Sequence, residues 1–221
     1  MVSGIILGLT EITLYFGFSY YLKKYFTKLQ EINYISYYWF MITILTFVWE
    51  YSFISEYNEV VNYSTILLNN TSHVWTNNYD ITYLLPWNFS KIFYAEYGAY
   101  ADKEYMSLKD DWSKTIESTH AFFCGLFSLF AILLKINYND RSYYITVGIS
   151  MGAQLMNSIL YMVEYYYQTQ DSNNINFNTP NFPCGLLYSK RPFMWVNIFW
   201  TIMPLYTIIY SLLEKKYVKN I

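Results

Sequence analysis

The chain is short of the residues on which most active sites and small scaffolds depend. It has two cysteines and two histidines in 221 residues, too few for a Cys/His zinc cluster or a disulfide framework. Cys124 falls inside an apolar run and Cys184 in a polar connector, so no bridge between them is expected. Eight glycines and five prolines form no phosphate-cradling loop, no nucleophile elbow and no Pro-rich linker. Charged residues are 14% of the chain and the net charge is −2, which removes the basic field that nucleic-acid binding needs. No nucleic acid, metal or organic cofactor is therefore expected. The N-terminus lacks a basic n-region and a small-residue cleavage site, and it reads as a first helix, not a removed signal.

What is present is apolar and aromatic: 54% hydrophobic and 23% Phe, Trp or Tyr. Mean hydropathy is only +0.12 because the 27 tyrosines score as nearly polar, although their rings suit a membrane interface. A membrane-crossing helix needs about 20 mostly apolar residues. Five stretches qualify: 2–22, 36–55, 114–134, 143–165 and 192–213. The expected fold class is an all-α integral membrane protein, a five-helix transmembrane bundle with an intrabundle pocket. Residues 1–35 supply the first span and a basic connector. Residues 36–213 supply a four-helix portion with an ordered 56–112 loop, and 214–221 a basic tail. The competing reading, a soluble buried helical bundle, fits poorly with five such runs in so short a chain.

Five spans put Lys23, Lys24, Lys28, Lys135, Arg141, Lys215, Lys216 and Lys219 on one side. By the positive-inside rule that side is cytosolic. The 56–112 loop then faces the lumen with acceptor sequons at Asn62, Asn69, Asn70 and Asn88.

Four acids fall in or near the spans: Glu11, Glu50, Glu117 and Glu164. Ionisable side chains within a membrane are costly and tend to face the bundle interior. Glu50 ends the second span and Glu117 begins the third, so antiparallel spans put both at one level. Thr46 and Phe47 precede Glu50 by about one helical turn, and His120 follows Glu117 by one turn. Gln154, Asn157, Ser158 and Tyr161 share a face of the fourth span; Asn197, Trp200 and Pro204 share a face of the fifth. Each has a plain structural reading when taken alone. Glu11 and Glu164 read as interfacial acids, Asn197 as helix–helix contact, His120 as a neutral interhelical hydrogen-bonder and Trp200 as packing. Together, acids, histidine, amides and indole suggest a functional pocket. A neutral carboxyl in such a pocket can protonate an alkene. Aromatic faces and a carboxylate then stabilise the resulting carbocation in a low dielectric.

The stretches "YAEYGAYADKEY", "IESTHA", "MGAQLMNSILYMVEY" and "VNIFWTIMP", in this order and spacing, resemble the emopamil-binding protein family. These are the Δ8–Δ7 sterol isomerases and their EXPERA-type relatives, and the resemblance covers roughly residues 36–213. It implies a multi-pass protein of the endoplasmic reticulum membrane. It also implies a sterol or sterol-like lipid substrate among membrane lipids, and inhibition by cationic amphiphilic amines that imitate the cation. A second copy of the chain is a candidate partner. By motif, Glu50 and Glu117 correspond to the catalytic acids, with His120 beside them. Asn197 and Trp200 correspond to the polar anchor and cation-facing ring, and Tyr105 to the loop tyrosine that closes the pocket. Thr46, Phe47 and Gln154 complete the expected substrate-binding set.

The chain departs from the family at marked positions. Thr46 stands where the second-helix histidine is usual, and His120 where the third helix has threonine. Tyr51 replaces a small residue, and the Gly98–Asp102 loop has one extra residue. Three functions follow as expectations: a Δ8–Δ7 isomerase, a non-catalytic lipid-binding relative, or a terpenoid cyclase using the same acids.

Overall fold

The structure, a computed structural model, describes residues 1–101, 111–168 and 192–218. It is overwhelmingly helical. α1 (Gly4–Tyr25) is followed by the short α2 (Thr27–Gln30), α3 (Tyr34–Ser55), α4 (Tyr57–Asn70) and α5 (Pro86–Tyr100). α6 (Asp111–Thr119), a π-helical segment (His120–Leu126) and α7 (Phe127–Ile136) run on continuously, and α8 (Asp140–Gln168) and α9 (Pro192–Val218) complete the chain. A two-residue β1 (Val2–Ser3) pairs antiparallel with β2 (Asn78–Tyr79), Val2 opposite Tyr79, and ties the N-terminus to the loop after α4.

Local chemistry sets several boundaries. Asn33 caps α3 by accepting from the backbone N–H of Ile35 at 2.8 Å and of Ser36 at 3.4 Å. Pro86 opens α5, where its missing N–H costs nothing. The 56–112 connection is therefore helical over much of its length. α4 packs on α5, and α5 packs on α3.

Among the described residues, three helices are long and apolar enough to cross a membrane: Gly4–Tyr25, Lys114–Ile136 and Trp195–Leu213. Their outer faces carry exposed Ile6, Leu9, Leu14, Phe18, Phe130, Leu133, Phe199, Ile202 and Leu205. Such faces are unfavourable in water and suited to lipid. The chain is a helical membrane protein by this measure. α3 is as long as α1 but more enclosed, with half of its residues buried, Trp39, Phe40, Thr43 and Phe53 among them. Two apolar cores share it. One gathers Leu7, Trp49, Phe53, Leu67 and Phe89; the other gathers Leu29, Tyr37, Trp39, Phe40, Tyr143 and Met151.

Candidate functional site

A cavity of about 250 Å³ opens between α3, α5, α8, α9 and the start of the third long helix. Its wall includes Thr46, Glu50, His120, Asn197 and Trp200. Phe47 and Gln154 do not line it. Phe47 turns toward Gly125, and Gln154 lies fully buried behind His120. Tyr105 lies outside the described residues. Glu117 is carried by α6, but its side chain is outside those described; its neighbour Ile116 lines the cavity.

The central contact joins α3 to the π-helical segment. His120 Nδ1 lies 2.5 Å from Glu50 Oε1, with both side chains more than nine-tenths buried. Two features allow that approach. The third long helix widens into π geometry at His120–Leu126, a distortion common at functional sites. Gly125 then meets α3 without a side chain. A Cβ there would lie 2.1 Å from Phe47 Cβ and 3.1 Å from Phe47 Cα. Asn157 from α8 braces the entry to this segment by donating to the Ile116 carbonyl at 3.1 Å.

The far edge of the imidazole is equally occupied. His120 Nε2 lies 3.3 Å from the Trp200 indole nitrogen and 3.2 Å from Gln154 Nε2. Gln154 Oε1 accepts from the Trp39 indole at 2.7 Å, and the Trp39 and Trp200 rings meet edge-on at 4.8 Å. A third indole, Trp49, donates to Glu11 at 3.0 Å. Each ring is thus oriented by its own N–H, and the cavity receives the bodies of Trp49 and Trp200.

Glu11 differs from its expected interfacial role. It is only 4% exposed, and its Oε2 has no hydrogen-bond partner among the described residues. The physical reason is that α1 packs on the α3–α5 pair, which carries Glu11 behind Trp49 and away from water.

The aromatic wall contributed by α5, namely Phe93, Tyr94 and Tyr97, was not among the sequence candidates. Tyr97 and Tyr161 join across the cavity by an O–H···O contact of 3.0 Å. The available signal was the aromatic spacing of "FYAEY" at helical period, ambiguous inside a segment read as loop. The arrangement offers a buried acid–imidazole pair, amides at Asn157 and Asn197, hydroxyls at Thr46 and Ser158, and six aromatic side chains around one cavity. That combination can hold an apolar molecule and stabilise a positive charge on it. Comparison with family models, with curated proteins and with solved structures found no match.

Proposed function

We propose that the protein is a sterol or sterol-like lipid Δ8–Δ7 double-bond isomerase of the endoplasmic reticulum membrane, a divergent relative of the emopamil-binding family. In this reading α3 and α8 also cross the bilayer, making a five-helix bundle. The length of α3, 22 residues, corresponds to about 33 Å at the helical rise. Its polar and aromatic content fits an interior helix that other helices shield from lipid. The observation that carries the reading is the buried Glu50–His120 pair beside the Trp200 ring in one cavity.

The chemistry would run in two balanced steps. A carboxylic acid gives its proton to one alkene carbon, and the π electrons form the new C–H bond. The cation left on the other carbon is held by Trp200, Trp49 and the Glu50 carboxylate. A base then removes a proton from the adjacent carbon, and those electrons form the shifted double bond. Glu117, one helical turn before His120, is the proposed acid. Asn197 would anchor a polar substrate group, and Tyr105 would close the pocket.

Thr46 on the cavity wall, where the isomerases carry histidine, favours a second reading: a non-catalytic lipid-binding relative. Expression in cells lacking sterol Δ8–Δ7 isomerase, with sterol profiling by mass spectrometry, separates the two. Appearance of Δ7-sterol supports the isomerase. Persisting Δ8-sterol at good expression rejects it, and binding of a cationic amphiphile in that case selects the second reading.

A further inference from the structure

The proton on His120 can be located from its neighbours. Indole N–H groups donate and never accept. The Trp39 indole, 2.7 Å from Gln154 Oε1, therefore fixes the Gln154 amide with its oxygen toward Trp39. The amide NH₂ is left to face His120 Nε2 at 3.2 Å and Thr43 Oγ1 at 3.4 Å. Thr43 spends its own hydroxyl proton on the Trp39 carbonyl at 2.9 Å, which leaves its oxygen free to accept. On the other flank, the Trp200 indole donates to the same Nε2 at 3.3 Å. Two N–H donors thus converge on one ring nitrogen. The Nε2–H tautomer and the imidazolium would both set an N–H against them.

We infer that Trp39, Gln154 and Trp200 lock His120 as the Nδ1–H tautomer, so that His120 serves Glu50 and does not itself exchange protons with a ligand. Its one proton then sits on Nδ1, the ring nitrogen that lies 2.5 Å from Glu50 Oε1. Gln154 is then a positioning residue and not a substrate contact, in keeping with its complete burial. The inference deepens the proposed function, on which its catalytic meaning rests, but the tautomer can be observed without turnover.

The test is ¹⁵N NMR of histidine-labelled protein in lipid nanodiscs near neutral pH. The chain has two histidines, and loss of one set of signals in His120→Asn assigns the other. The expected result is a neutral His120 ring with a protonated Nδ1 and a bare Nε2. An Nε2–H tautomer or an imidazolium in the unaltered protein overturns the inference. Gln154→Leu and Trp39→Phe each release the lock, and a measurable share of Nε2–H or imidazolium is expected in both. A pure Nδ1–H ring in both variants would remove Gln154 from the positioning role. An Nδ1–H ring in a protein that converts no sterol upholds this inference while rejecting the isomerase. The opposite pair of results does the reverse.

Discussion

Ser158 on α8 donates to the backbone carbonyl of Trp200 on α9 at 3.1 Å, and that carbonyl is the one Pro204 leaves without a partner. In a regular helix the N–H of residue 204 would reach the oxygen of residue 200. Proline has no N–H. The α8–α9 contact at the cavity wall is thus a replacement for a missing helix hydrogen bond. Ser158→Ala is expected to destabilise by about 1–3 kcal/mol, the cost of a buried unsatisfied polar group. Pro204→Ala should relieve much of that loss by restoring the internal bond. Thermal unfolding of the two single variants and the double variant checks it. Equal losses with and without Pro204 would refute the exchange.

Gly125 should tolerate no side chain. In Gly125→Ala the new methyl meets Phe47 at its Cβ and backbone, which cannot swing aside as a side-chain tip can. Overpacking of this kind costs about 1–3 kcal/mol. The displacement separates His120 from Glu50 and should lower turnover, or ligand affinity, more than it lowers stability. Phe47→Ala makes room and should recover part of both in the Gly125→Ala background.

Glu50 and His120 should act as one unit. Leaving one member of a buried polar pair unsatisfied commonly costs about 1–3 kcal/mol, and more where the member left behind is charged. Glu50→Gln and His120→Asn are each expected to be severe, and the double variant little worse than either. A double-mutant cycle on stability, with turnover or ligand affinity measured beside it, gives the coupling. Additive losses would show that the 2.5 Å contact carries little.

Trp49 supplies the hydrogen bond seen on Glu11. Trp49→Phe removes that donor and should destabilise by about 1–3 kcal/mol beyond its change in volume. Glu11→Leu added to Trp49→Phe should return much of the loss, since an apolar pair needs no hydrogen bond. Chemical denaturation in one detergent compares the variants. No recovery in the double variant would mean that Glu11 has an essential role of its own.

Outside the spans, Glu31 lies 2.8 Å from Lys28 and 3.0 Å from Lys135. Partial burial pushes its pKa up, but the hydrogen bonds and charges of the two lysines outweigh burial and hold it below the ordinary glutamate value. A depressed carboxylate stabilises the fold above its unfolded-state pKa, and that contribution fades as pH falls through the lower folded value. The Glu31 side chain is about half exposed, so Glu31→Gln should cost no more than about 1 kcal/mol near pH 7. The difference from the unaltered protein should vanish below the folded carboxylate pKa. A difference that grows on acidification would contradict this assignment.

The helices were legible because membrane crossing imposes length and apolarity on consecutive residues, a constraint written locally in the chain. "GIILGLTEITLYFGF" and "FSLFAILL" carry it whatever surrounds them. The grouping of Thr46, Glu50, His120, Asn197 and Trp200 was also accessible, since polar side chains in apolar helices have few places to go. The pairing was not. Sequence spacing set His120 beside Glu117, one turn away. In the folded chain, His120 contacts Glu50, 70 positions earlier. That choice depends on a π-helical turn, on Gly125 meeting Phe47 and on two indoles arriving from separate helices. These are matters of interhelical distance and donor geometry, for which no local pattern exists. The same holds for Glu11, whose burial behind Trp49 follows from where α1 packs. By itself, the sequence determined that this chain forms apolar helices and which polar residues those helices must shelter. Only the tertiary structure decided which of those residues touch, because hydrogen bonds between helices are fixed by packing and not by spacing along the chain.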